Sequence, residues 1–213
     1  MEELAQHCQE ADRRLFRTFI NTQEGGCPMQ VGTKINGVDV EQMTNTIKAV
    51  QEKPVLAKFQ YRAKNRWIDG SRNQTTIKSF YGAGQEDATR TKPFVLNADE
   101  PLILLGEDHG VNPEGYVLTA LAACLTTTMV YQAAARGIRI DAASSEIEGD
   151  LDLRGFLGLS DDIRKGFQQI RVKFTVETDA SAEQLQELCK SSPILDTVAN
   201  PVPVFVTVQT TKP

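Results

Sequence analysis

Histidine is scarce in this chain, tryptophan occurs once, and the cysteines never cluster; each shortage removes a class of function. The two histidines, His7 and His109, and the four cysteines, Cys8, Cys27, Cys124 and Cys189, are spread along the sequence with no CxxC pair. A structural zinc site needs four nitrogen or sulfur donors held together, so no metal is expected. Glu107-Asp108-His109 reads as a solvated acidic loop rather than a metal site. Gly82 and Gly84 lack a following helix at phosphate-loop spacing, so no nucleotide or other cofactor is expected either. Basic runs are missing too. Lys and Arg number 23 against 28 acids, a formal net charge of −5, which gives no electrostatic case for nucleic acid or an anionic membrane.

The start of the chain, Met1-Glu2-Glu3-Leu4-Ala5-Gln6, lacks the basic and apolar pattern of a secretory signal. With dispersed cysteines, that predicts reduced thiols in a cytoplasmic setting. One uncharged stretch, 115–135, is long enough to cross a bilayer. It contains Thr119, Thr126, Thr127, Thr128 and Gln132 among many small residues, and its ends are marked like those of a globular helix. It is expected to be a buried core helix rather than a membrane span.

What remains is an ordinary globular composition, 40% hydrophobic and 24% charged, in a chain long enough to bury a core. Residues 1–54 read as a helical N-terminal extension. Leu4, Leu15, Phe16 and Phe19 predict an amphipathic helix over 2–20, broken at Gly25-Gly26-Cys27-Pro28. Asp39 reads as an N-cap with Gln42 at the capping-box position, and Val40, Met43, Ile47 and Val50 continue a helix that Lys53-Pro54 ends. Residues 55–213 read as one domain. Alternation at Val55, Ala57, Phe59, Tyr61 and Ala63 predicts a strand, with further strands over 75–81 and 92–97 and a turn at Asp69-Gly70-Ser71. Asn112-Pro113-Glu114 is a strong helix start and Gly137 a stop. Strands follow over 147–153 and 170–176, helices over 182–191 and 193–199, and a last strand at Val202, Val204, Val206 and Val208. The order βββ, long helix, ββ, helix pair, β is α+β with mostly antiparallel strands. Trp67, Phe156 and Phe167 are expected as core or pocket walls.

Cys124 sits in the middle of the long helix. The helix dipole fades after the first turn, and burial pushes a thiol above its free value of roughly 8.5. A reactive thiol there needs a cation from elsewhere in the fold; an inert buried cysteine is the plain alternative.

The run from Gly110 through Asn112-Pro113-Glu114 to Ala122-Ala123-Cys124 resembles the OsmC/Ohr family, the osmotically inducible and organic-hydroperoxide-resistance proteins. Asp99-Glu100-Pro101, Ser192-Pro193-Ile194-Leu195-Asp196 and Asn200-Pro201-Val202-Pro203-Val204 look like further landmarks of that family. The resemblance covers roughly 55–210. It implies an intertwined homodimer, with antiparallel sheets wrapped around long central helices. It also implies a peroxidatic cysteine at Cys124 and a glutamate at Glu114 that orients an arginine beside the thiolate. Arg72 is the matched arginine, with Arg62 and Arg66 as competitors. The implied substrate is a small organic hydroperoxide, alkyl or lipid, and the implied reductant an external thiol or dithiol, a lipoyl-type dithiol included. Ten helical residues span about 15 Å, so Glu114 and Cys124 of one straight helix cannot share a small site; if both serve one, they come from different subunits.

The sequence departs from that pattern at Ser192, which occupies the place of the family's second cysteine. Cys189, three residues earlier, is the candidate resolving thiol, or else simply a helix residue. Two non-catalytic readings stay open: a binder of small apolar molecules or redox sensor on the same fold, and a structural dimeric module docked through residues 1–54.

Overall fold

The computed structural model describes residues 34–212. The expected helix over 2–20, with Cys8 and Cys27, lies outside the described residues. Among the described residues the chain divides into two compact units, one formed by Lys34 with Asp39–Pro113, the other by Ile35–Val38 with residues 114–212.

A short hairpin opens the described chain: β1 (Lys34–Ile35) and β2 (Val38–Asp39). Its two-residue turn is Asn36-Gly37, both at positive φ, the backbone that favours Asn and Gly in tight hairpins. Within the second unit, the Asn36 side chain donates to the Ile138 carbonyl and accepts from the Ile140 N–H.

In the first unit, α1 (Val40–Glu52) begins as the sequence predicts, the Asp39 carboxylate accepting from the Gln42 N–H. The expected strand over 55–63 is corrected. Pro54 fixes φ at the first position of a 3-10 turn, Pro54–Ala57, and the extended run after it makes a single bridge, Gln60 to Tyr81. The first long strand is instead β3 (Lys64–Asp69), paired antiparallel with β4 (Arg72–Ile77), which pairs in turn with β7 (Phe94–Ala98). The expected strand over 75–81 is thus two pieces, β4 and β5 (Phe80–Gly82), the latter closing a small hairpin with β6 (Gln85–Asp87).

The loop after β7 is organised by Asp99, which is 1% exposed. It accepts from the Ser71 hydroxyl and from the backbone N–H groups of Glu100, Glu107 and His109. The Ser71 bond first, against burial and with the three backbone donors, holds the Asp99 carboxyl well below the usual carboxylate range. A depressed carboxylate contributes stability above the unfolded value, about pH 4, and that contribution is lost as pH falls through the folded value. Close packing makes Gly106 obligatory: a Cβ there would collide with the Glu100 carbonyl.

In the second unit, α2 (Pro113–Ala135) ends before Gly137 at φ +71, as expected. It is long and apolar enough to cross a membrane by length and composition. Its buried residues Leu121, Leu125, Met129 and Ala133 recur every four positions and form one stripe. The C-terminal part of that stripe, Met129 and Ala133, joins Leu185 and Leu188 in the core, with Ile138, Ile140, Phe174 and Val176 packed against it. The expectation of an all-round buried helix is narrowed to this stripe. β8 (Ala142–Asp150) and β9 (Gln169–Glu177) pair in register over nine residues. Asp152 caps a single helical turn, α3 (Leu153–Phe156), so the strand stops short of Leu153. Ser181 opens α4 (Ala182–Cys189) with a full capping box to Gln184. α5 (Pro193–Ala199) comes next.

Two further expectations change. The valines at 202–208 alternate but form no strand among the described residues; Phe205 is 92% exposed and Val206 82%. An extended segment becomes a strand only when it pairs with another, and β8 and β9 form a two-stranded sheet that 202–208 does not join. Trp67 and Phe156 are exposed rather than core, while Phe167 lies over Gly149.

Candidate active site

Cys124 projects from the middle of α2 and is half-buried and free. It lies one position before Leu125 of the buried stripe, so it sits at the margin of the packed face. Its helical neighbours are small, Ala122 and Ala123, and Thr126 spends its hydroxyl on the Ala122 carbonyl one turn back. The local sequence thus supplies no polar partner to the sulfur.

The partner comes from the turn between α4 and α5. Ser192 lies just beyond α4, its N–H donating to the Cys189 carbonyl. Pro193 at the first helical position makes Ser192 the N-cap of α5, and its Oγ accepts from the Leu195 N–H at 3.2 Å. The same hydroxyl donates to Cys124 Sγ at 3.2 Å. Ser192 is 1% exposed, so water does not compete for that proton. The residue that the sequence marks only as a missing thiol is therefore the hydrogen-bond partner of the Cys124 sulfur among the described residues. Its sequence signal was available: a serine before proline at a helix start is a cap.

Cys189 ends α4, half-buried and free, packed against the cluster of Met129, Ala133, Leu185 and Leu188. Burial pushes its thiol up from the ordinary value. Glu114 lies in the first turn of α2, ten residues from Cys124, about 15 Å along the axis and turned toward a different face. In the first unit, Arg62 is clamped in a bidentate pair by Glu86, and Arg66 donates to the Gln74 side chain. Arg72, half-buried at the start of β4, carries no side-chain hydrogen bond or ion pair among the described residues. Arg62 and Arg66 spend their guanidinium groups on those partners. His109 sits 3.3 Å from Glu107 and 3.4 Å from Asp99, as part of the loop that Asp99 organises.

The family model described as OsmC-like protein matches residues 106–207, which includes α2 with Cys124 and the turn with Ser192. Among solved structures, an OsmC-like protein from Mycoplasma pneumoniae superposes with a TM-score of 0.51 at 18% identity, covering 67% of this chain and 89% of the other. An organic hydroperoxide resistance protein OsmC from Legionella pneumophila gives 0.43 at 16% identity, covering 66% and 90%. The organic hydroperoxide resistance protein OhrB of Bacillus subtilis gives 0.37 at 22% identity, covering 66% and 93%. No curated protein matches the sequence. Residues 106–207 thus match the OsmC-like family model, and the α+β fold is similar to that of the Mycoplasma OsmC-like protein.

Proposed function

We propose that this chain is a cysteine-dependent peroxidase that reduces small organic hydroperoxides, alkyl or lipid, in cytoplasmic oxidative-stress defence. The observation that carries the reading is the sulfur of Cys124, half-buried at mid-helix and held by a hydrogen bond from the buried Ser192 hydroxyl. A hydroxyl donated to sulfur favours the ionised form, and the thiolate is the nucleophile. The thiolate attacks the terminal peroxide oxygen, the O–O bond breaks, and the alkoxide leaves and takes a proton as the alcohol. Sulfur loses two electrons and becomes a sulfenic acid. Two equivalents of an external thiol, or one dithiol, a lipoyl-type dithiol included, return it to the thiol, leaving as a disulfide with release of water.

Arg72 is the proposed cation beside the thiolate, because a guanidinium keeps its charge at every working pH, and Glu114 is proposed to orient it by a bidentate pair. The 15 Å between Glu114 and Cys124 on one helix supports a homodimer in which each site takes Glu114 from one subunit and Cys124 from the other. The exposed valines of 202–208, extended and without a strand partner among the described residues, support the same dimer. The OsmC-like domain is proposed to span 55–213, with 1–54 as an extension.

The test is to mix reduced protein with cumene hydroperoxide and follow Cys124 by mass. A fast one-oxygen gain at Cys124 is expected. A folded protein whose Cys124 stays unmodified moves the reading to the alternative that Ser192 itself motivates: a small apolar-molecule binder or redox sensor without a two-cysteine cycle. A monomer with full activity would contradict the shared site.

A further inference from the structure

Ser192 has one proton and two lone pairs, and the structure fixes how they are used. The Leu195 N–H already donates to its oxygen at the start of α5. The hydroxyl proton must therefore find an acceptor in a place that is 1% exposed, and an unsatisfied buried donor is costly. The acceptor present, at 3.2 Å, is Cys124 Sγ. A neutral thiol is a weak acceptor and a thiolate a strong one. The cap of α5 thus aims a proton at the sulfur. The same position sets the fate of the oxidised sulfur. A disulfide needs a second sulfur about 2 Å from the first, and the place beside Cys124 is filled by oxygen. Cys189, the nearest thiol in sequence, packs instead into the Met129 cluster.

We propose that Ser192 is a catalytic residue: its hydroxyl donates to the Cys124 thiolate and then to the sulfenic acid, and turnover is completed by a small external thiol rather than by an internal disulfide. This rests on the peroxidase reading above and assigns the residue that departs from the two-cysteine pattern. The cycle balances with the thiol named. Thiolate and hydroperoxide give sulfenic acid and alkoxide, which becomes the alcohol on gaining a proton. The sulfenic acid and one external thiol give a mixed disulfide on Cys124 and water. A second external thiol releases Cys124 and leaves as the oxidised disulfide of that thiol. The sum is one hydroperoxide and two thiols giving one alcohol, one disulfide and one water.

Two experiments on the full chain test this. In the first, iodoacetamide labels Cys124 and Cys189 in the same native sample at neutral pH, so Cys189 reports any general opening. Ser192→Ala is expected to slow Cys124 labelling about tenfold, the scale of a hydrogen bond to a charged group, with Cys189 unchanged. Equal Cys124 rates in the two proteins, faster Cys124 labelling in the variant, or a parallel change at both thiols overturns the role of the hydroxyl. In the second, protein oxidised with cumene hydroperoxide meets 2-mercaptoethanol, and the products are read by mass. A mixed disulfide on Cys124 is expected in the natural sequence, and an internal disulfide that excludes it in Ser192→Cys. An internal Cys124–Cys189 disulfide in the natural sequence overturns the external-thiol step. Because iodoacetamide needs no peroxide, a Cys124 inert to cumene hydroperoxide but slowed by Ser192→Ala sinks the peroxidase reading and keeps the hydrogen bond.

Discussion

Cys124 and Cys189 are both free, both half-buried and in the same unit, yet their surroundings differ in kind. Cys124 stands at the edge of the α2 stripe, against a buried hydroxyl that is oriented by a helix cap. Cys189 stands at the end of α4, against Met129, Ala133, Leu185 and Leu188. Apolar contact stabilises the fold and suppresses the charged form of a thiol. The directed hydroxyl instead gives the Cys124 sulfur a hydrogen-bond donor. The difference teaches that two thiols of similar partial burial can face opposite surroundings, a hydroxyl donor at one and hydrocarbon at the other.

The contrast can be broken most severely by deleting each sulfur. Cys124→Ser is expected to lower the rate of cumene hydroperoxide consumption by roughly a thousandfold or more, since no other group replaces a lost nucleophile. Cys189→Ser is expected to leave that rate within about twofold, measured with excess 2-mercaptoethanol in the same assay. A comparable loss in both would place the two thiols in one cycle.

Next in size is the packing around Cys189. Met129 is fully buried in that cluster. Met129→Ala should cost about 2–5 kcal/mol in urea unfolding, without a hydrogen-bond change at Cys124. The third prediction concerns pH. Burial raises the Cys189 thiol above its ordinary value, so it stays protonated through neutral pH. Its labelling by iodoacetamide should therefore be slow at about pH 7 and still rising above about pH 9. A plateau at lower pH would contradict the apolar description of its site. The smallest effect is at the far end of α4. Ser181→Ala removes the capping box and should cost about 1 kcal/mol of stability, with Cys124 oxidation unaffected.

The long helix was legible because its ends carry chemistry: Pro113 and Glu114 at the start, Gly137 at positive φ after the stop. The caps at Asp39 and Ser192 act through side-chain oxygens that the local sequence places, so α1 and α5 were legible too. The Asn36-Gly37 turn carries an equally clear signal, but its strands are two residues each and show no alternation to mark them. Val55 to Ala63 does alternate, but Pro54 draws the first three residues of that run, Val55 to Ala57, into a 3-10 turn. The valines of 202–208 alternate but pair with no strand among the described residues; alternation marks which face is apolar, not what the strand joins. The site was half legible. Cys124 emerges from the motif around it, whereas the partner at Ser192 depends on two helices meeting 68 residues apart. In the sequence that serine reads as a lost thiol, since serine cannot form a disulfide. Only the geometry turns it into a donor.

The most direct test is a single turnover with no reductant present. Reduced protein is mixed with one equivalent of cumene hydroperoxide, and the alcohol formed and the oxidation at Cys124 are measured together. The account predicts one alcohol per chain, matched by one oxygen gained at Cys124, with Cys189 still a free thiol. Alcohol formed while Cys124 stays reduced, or no alcohol from a folded protein, would contradict it.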